Sequence, residues 1–586
     1  MRLEEFWGVG PKTAERLASA LGEGAAIAAI EGADVRALTE AGLSRGRATA
    51  ILRRAEGGAG MAVLATRDAR AVYKDLLDLA GDYAVTEHAA DRLHVLTPLR
   101  SRAAIEARLD RVEAAVATWR GLTDDDRAAV LAAFDAYDSL AGDRAAVEAA
   151  IALRETGVAD GSFAPIAALD AEALASAAAG LGHLTGDGVV EGADAELDRL
   201  RANRDAVERL EGAAFDVLDA IREEGVRGGD EFERAVVGYL ARETDLDLDA
   251  VRRAAPDDAA DAADFVGTTL RALAADLEGR VADREAAVAE AVRDDLAAAG
   301  DAVKAAVAAV EAVTLDVSLA RFAIDLDLTR PTVRADGDAL AFEGARNLGL
   351  ATAAAGEVQP VTYALGDHDL DDPPSGQQVA VLTGANSGGK TTLLETGCQV
   401  ALLTAMGLPV PAERAEVSRF DAVVFHRRHA SFNAGVLEAT LKSIVPPLTG
   451  EGRTLMLVDE FEAITEPGSA ANLLHGLVTL TVEQGSLGAF VTHLAEDLEP
   501  LPEAARTDGI FAEGLRRDLG LVVDYQPRFH AVGRSTPEFI VSRLIATARD
   551  PRERLGFEAL AETLGAAVVQ RTLADARWQP ASERSD

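Results

Sequence analysis

Cysteine is nearly absent. Cys398 stands alone in 586 residues, which excludes an internal disulfide and any zinc site built on cysteines. Lysine is scarce: Lys12, Lys74, Lys304, Lys390 and Lys442 are the only lysines among 58 basic residues. Aromatic residues make up 4% of the chain. No uninterrupted apolar run of about 18 residues occurs, so no transmembrane helix and no membrane role are expected. The opening MRLEEFWGVG is acidic and then broken by glycine, unlike a secretory signal. These absences together point to a cytoplasmic protein.

What is present is apolar and acidic. Hydrophobic residues reach 48%, enough for packed cores, and the length allows three to five domains of roughly 100–200 residues. The formal charge is −40. Acidic excess, few lysines and many small residues fit a cytoplasm of molar salt, where the Debye length shrinks to about 3 Å and self-repulsion is tolerable. Acidic disorder is the alternative, and the steady apolar periodicity argues against it. On this reading the global charge reports the solvent, and only local basic patches bear on nucleic-acid binding.

The most informative stretch is GANSGGKTT, Gly384 to Thr392. It carries Gly384, Gly389, Lys390 and Thr391 at the spacing G-x-x-x-x-G-K-[ST], between a β-branched apolar run and a helical pattern. Strand, glycine loop and helix together make a phosphate-binding P-loop. The glycines let several N–H groups face one point, and the helix N-terminus adds partial positive charge. Gly384, Ala385, Asn386, Ser387, Gly388, Gly389, Lys390, Thr391 and Thr392 are therefore the expected nucleotide contacts. Lys390 would reach the β/γ-phosphates of ATP, and Thr391 would take a place on Mg²⁺.

Taken in order, residues 1–57 form a unit of their own. Gly8-Val9-Gly10-Pro11-Lys12 resembles a helix-hairpin-helix, whose hairpin glycines offer backbone N–H groups to a DNA phosphate. A weaker second copy contains Arg45 and Arg47. Gly8, Gly10, Lys12, Arg45 and Arg47 are the expected DNA contacts; an αα-hairpin that only packs is the alternative. Residues 60–190 read as a helical core, with a helix after Thr97-Pro98. Residues 191–315 carry two long helical patterns around a tip at 227–261, readable as an antiparallel arm or as an ordinary bundle. Residues 316–540 show short apolar runs between glycines, an α/β pattern. Residues 541–586 are a helical segment with a polar tail.

Three further elements follow the P-loop. Leu455-Met-Leu-Val458 is a buried strand that delivers Asp459 to the Mg²⁺ shell, with Glu460 next to it to orient or deprotonate water. A later strand ends at His493, near the expected γ-phosphate or simply on the surface. Ser431 lies in a turn before a helix, where it could bind phosphate or merely cap that helix.

The P-loop, the Ser431-Phe432 turn, Asp459-Glu460 and Thr492-His493 stand in the order found in the MutS family, so the chain resembles that family's ABC-like ATPase. The resemblance extends over about residues 85–550. It implies a fold with an α/β ABC-like P-loop ATPase domain, a large all-α lever and clamp region, and here an N-terminal helix-hairpin-helix unit. It also implies a homodimer dimerised through C-terminal helices, in which Ser431 completes the partner's ATP site, and Tyr363 stacks on adenine or is a core strand tyrosine. No Phe-x-Glu wedge is found at the start. The resemblance is therefore to the archaeal short form, the second MutS paralogue type, which lacks the mismatch-recognition domain. It implies an Mg²⁺-dependent ATPase that binds double-stranded DNA non-specifically or by structure, in repair or recombination. The alternatives are an ATP-dependent structural or signalling clamp with little turnover, and a true mismatch-recognition protein. The family's Gly-rich turn after Glu460 is replaced by Phe461-Glu462-Ala463-Ile464.

Overall fold

The computed structural model describes residues 2–569 apart from residues 7, 32–33, 58–59, 140–141, 186–187, 224, 226–228, 354–357, 385–388, 429–433, 465–466, 516–520, 534–536 and 565–568. The chain forms two compact units, Met1–Arg127 with Glu311–Asp586, and Ala128–Val310. Among the described residues no single helix is long and apolar enough to cross a membrane.

The first unit is built on two sheets. The larger has six strands in the order Leu521–Arg528, Ala505–Leu515, Val379–Gly384, Leu487–Val491, Thr454–Asp459 and Ala422–His426. All neighbours are parallel except the first pair, which is antiparallel. Val379–Gly384, Thr454–Asp459 and Leu487–Val491 are buried at every residue. That is why they read as continuous apolar runs rather than alternating ones: parallel strands are covered on both faces. The smaller sheet orders Thr332–Arg334, Arg414–Ser418, Ala339–Ala345 and Val361–Gly366.

The helix Lys390–Ala405 packs on strands of both sheets, so nearly all its side chains are buried. The helix Arg67–Gly81 lies against it, and Leu64 adds a parallel bridge to Val423 at the edge of the large sheet. The Thr66 hydroxyl donates to the Phe425 carbonyl (2.6 Å) and accepts from the Phe425 amide (3.1 Å). Residues 60–127 thus pack with the α/β sheets, while 128–190 pack with the helices that follow. The helix Asp124–Ser139 spans the division.

In the second unit the two long patterns are each interrupted. The first is Ala195–Gly212 and Ala214–Glu223, and the second is Ala262–Ala298 followed by Gly300–Asp325, which leads back into the first unit. Gly212 and Gly300 flank the breaks, as expected from the poor helix propensity of glycine. Leu197, Leu200, Val207, Leu218 and Ile221 meet Phe265, Leu270, Leu273, Leu277 and Val281 in one core. The segment read as a tip is helical, Gly229–Thr244 and Leu248–Ala254, and its Val236, Val237, Leu240 and Val251 join the same core.

The N-terminal residues fold into the helices Pro11–Leu21, Glu23–Glu31, Val35–Glu40 and Arg45–Gly57 around their own cluster of Leu17, Ile30, Leu38, Ile51 and Leu52. Gly8 (φ 81°) and Gly42 (φ 88°) take the left-handed turns that start the first and last of these helices.

Candidate functional site

The register of the large sheet brings its chemistry to one edge. Leu382 lies opposite Val491, Val491 opposite Asp459, and Val458 opposite His426. The loops after these strands therefore emerge side by side, at the carboxyl ends of parallel strands where ligands of open α/β sheets bind. Residues 384, 428, 459–460 and 491–493 all come to this edge.

At the P-loop, Gly384 has φ 133° and an added Cβ would lie 2.2 Å from the Ile510 carbonyl oxygen. Gly389 (φ 73°) is the left-handed residue that opens the helix Lys390–Ala405. Ala385, Asn386, Ser387, Gly388 and Ser431 lie outside the described residues. Lys390 is 4% exposed, and its ammonium donates to the Gly384 carbonyl at 2.8 Å. Burial pushes its pKa down, opposed by the negative charges of Glu460, Asp459 and Glu462.

The Thr391 hydroxyl donates to Oδ2 of Asp459 at 2.7 Å. Asp459 is buried, which raises its pKa, and among the described residues its Oδ1 has no hydrogen-bond partner. A buried, unsatisfied carboxylate oxygen costs free energy unless something pairs with it. A hydroxyl beside a carboxylate is a hard-oxygen donor pair of the kind Mg²⁺ takes, so these residues fit that ion.

Glu460 is engaged on both carboxylate oxygens. Its Oε1 meets Nε2 of His493 at 3.1 Å and its Oε2 meets Nη1 of Arg428 at 2.6 Å. The His493 hydrogen bond leads the causes that hold its carboxyl below the usual range. Its backbone has φ 42°, an uncommon region for a residue other than glycine, and its N–H donates to the Val491 carbonyl. His493 is fixed in turn by Glu462, whose Oε1 accepts from the His493 amide (2.6 Å) and from the Thr492 hydroxyl (2.9 Å). Arg428 and Glu462 belong to no motif in the sequence. Glu462 lies in the segment that departs from the family's turn, and an acid at that point was the available signal.

Tyr363 is a correction. It is 3% exposed, its hydroxyl donates to Asp508 (2.9 Å), and its ring stacks on Phe529. No nucleotide base reaches a ring closed in this way, so the core alternative holds. Tyr525 is the aromatic side chain at the P-loop: it is 41% exposed, and a Cβ on Gly389 would lie 2.8 Å from its Cδ1. No motif distinguishes it, since both tyrosines sit in short strands.

In the N-terminal helices Gly8, Gly10 and Lys12 are exposed. Arg45 is exposed but ion-paired with Asp91. Arg47 reaches back to the Thr13 hydroxyl (2.8 Å) and the Gly8 carbonyl (3.4 Å), while Arg16 holds the Gly42 carbonyl (3.1 Å). Each of the two glycine turns is thus braced by an arginine from the other half of the unit.

No family model matches the chain. It is similar to the DNA-binding protein MutS2 of Pyrococcus furiosus, with 46% identity over 193 residues, 33% of this chain and 34% of that protein. It is 29% identical over 346 residues to the DNA mismatch repair protein MutS of Natronomonas pharaonis, 55% of this chain and 38% of that protein. To the endonuclease MutS2 of Solidesulfovibrio magneticus it is 31% identical over 157 residues, 25% of this chain and 19% of that protein. The matched stretches thus span well under half the length of each of these relatives.

Proposed function

We propose that the chain is a MutS-family ATPase of the short archaeal type, which hydrolyses ATP with Mg²⁺ and holds duplex DNA without reading sequence. The observation that carries the ATPase reading is the cluster of Lys390, Thr391, Asp459, Glu460 and His493 on one sheet edge, with the buried Asp459 Oδ1 unpaired among the described residues, beside the Thr391 hydroxyl. Thr391 and Asp459 would hold Mg²⁺, which when bound neutralises charge on the phosphates. Lys390 binds the β/γ-phosphates from the helix N-terminus. Glu460, oriented by His493, holds the attacking water and takes its proton. Glu462 keeps His493 in place through its backbone N–H. Tyr525 supplies a stacking face beside the loop. Tyr525→Ala is expected to weaken ATP binding by about 1–3 kcal/mol, the usual worth of base stacking, read as a higher Kd by calorimetry; an unchanged Kd removes Tyr525 from the site. Ser431 of one subunit completes the partner's site in a homodimer.

The DNA half rests on the N-terminal unit. Residues 1–57 are the part where Gly8, Gly10 and Lys12 stand exposed at a helix start. A grip on phosphates weakens as salt rises, in proportion to the contacts made. Deleting residues 1–57 is expected to lower affinity for duplex DNA and flatten the dependence of log Kd on log salt. An unchanged slope takes the DNA contact away from these hairpins.

A further inference from the structure

The proposed mechanism leaves Arg428 without a task, although the described structure places its guanidinium directly on the proposed general base. Arg428 follows the strand Ala422–His426, which neighbours Thr454–Asp459 with His426 opposite Val458. It therefore comes to the same edge as Glu460, and Nη1 lies 2.6 Å from Oε2 of that residue. The two partners differ in freedom: the Arg428 side chain is 55% exposed and that of Glu460 is 10% exposed. Its neighbour Arg427 is anchored differently, paired to Glu395 at 3.0 Å and with its backbone N–H on Asp68 at 2.8 Å. One of two adjacent arginines thus braces the fold, while the other reaches into the crevice from solvent.

Charge and geometry say what the second one is for. Glu460 is engaged on both oxygens, by His493 and by Arg428. A water that is to be oriented by this carboxylate competes with those partners, and of the two Arg428 is the one free to leave. Asp459, Glu460 and Glu462 are three carboxylates near Lys390. A bound triphosphate adds further negative charge, and transfer of its terminal group spreads charge over the equatorial oxygens, where a fork of N–H donors is the matching partner.

We propose that Arg428 is a catalytic residue: its guanidinium rests on Glu460, moves to the terminal phosphoryl group of bound ATP, and so frees Glu460 for water and stabilises the transferring phosphoryl group. This rests on the ATPase reading above. In the step, the water oxygen forms the new bond to the γ-phosphorus. The bond from that phosphorus to the β,γ-bridging oxygen breaks, its electron pair leaving with ADP, and the water proton passes to Glu460. Arg428 exchanges no proton.

The test is Arg428→Gln beside Arg428→Lys and the parent, in full-length protein. Arginines on a transferring phosphoryl group are worth about 10³–10⁵ in rate at the upper end, so kcat is expected to fall at least about tenfold in Arg428→Gln. Binding of ADP is expected to stay within about threefold of the parent, while binding of ATPγS weakens, because ADP lacks the group that Arg428 contacts. Arg428→Lys keeps the charge without the fork and recovers part of the rate. Thermal melting of each variant separates loss of fold from loss of function. A parental or raised kcat in folded Arg428→Gln overturns the proposal, as does an unchanged preference between ATPγS and ADP. If the parent neither binds ATP nor releases phosphate, the ATPase reading itself falls, and the role of Arg428 falls with it.

Discussion

Replacing Lys390 with alanine is expected to reduce ATP turnover to background, by a factor on the order of 10² or more. The side chain is buried and sits among Asp459, Glu460 and Glu462. Its ammonium rests on the Gly384 carbonyl, within the loop whose N–H groups are expected to face the phosphates. Removing it takes away the cation for the β/γ-phosphates and leaves three carboxylates with less to offset their mutual repulsion, so an incoming triphosphate meets a more negative crevice. Arginine is not an equivalent replacement, because a buried point charge on a flexible stem is exchanged for a planar fork of different donor geometry. Phosphate release measured in Mg²⁺ checks this, with melting to confirm that the variant is folded. Turnover by Lys390→Ala at the parental rate removes the site from this sheet edge.

The second large effect is on stability. Asp508→Ala is expected to cost about 3–5 kcal/mol, because it strands a buried arginine. The Arg506 and Asp508 side chains are 1% and 0% exposed, and Nε of Arg506 lies 2.9 Å from Oδ2 of Asp508. Asp508 also accepts from the Tyr363 hydroxyl and the His530 amide, and the Arg506 guanidinium lies over the Tyr363 and Phe529 rings. This network ties the segment after Arg528 to the end of the P-loop strand, where the Gly533 amide donates to the Thr383 hydroxyl (2.6 Å). The pairing of Asp508→Leu with Arg506→Met is expected to recover much of the loss, since replacing both partners leaves no buried charge. Denaturant unfolding at fixed salt reads both variants. A cost under about 1 kcal/mol for Asp508→Ala, the worth of an exposed pair, contradicts the burial of the Arg506–Asp508 pair.

Much of the α/β half is readable because its signals are local. Val379–Leu382 and Leu455–Val458 are wholly apolar since both faces of a central parallel strand are covered, and the polar residue types that follow them mark the strand ends. What escaped depends on contacts between distant segments. Tyr363 and Tyr525 both sit in strands, and alternation does not tell which ring faces the core. The pairing of Gln526 with Thr362 and of Tyr363 with Asp508 decides it. Arg428 and Glu462 follow strand ends without a motif, and only the sheet register brings them to Glu460 and His493. The division near residue 127 was hidden because a single helix crosses it. The long helices were legible as apolar seams, but the break at Ala213 was not, because Val207 and Leu218 keep the seam apolar on both sides of it.

The most direct test of the account is steady-state ATP hydrolysis by the full chain in molar potassium chloride with Mg²⁺, with and without homoduplex, mismatched and branched DNA. The account predicts saturable, Mg²⁺-dependent phosphate release that is absent in Lys390→Ala, together with equal affinity for matched and mismatched duplex. Phosphate release no greater than that of Lys390→Ala under every condition would contradict it, leaving at most a clamp that binds nucleotide without turning it over.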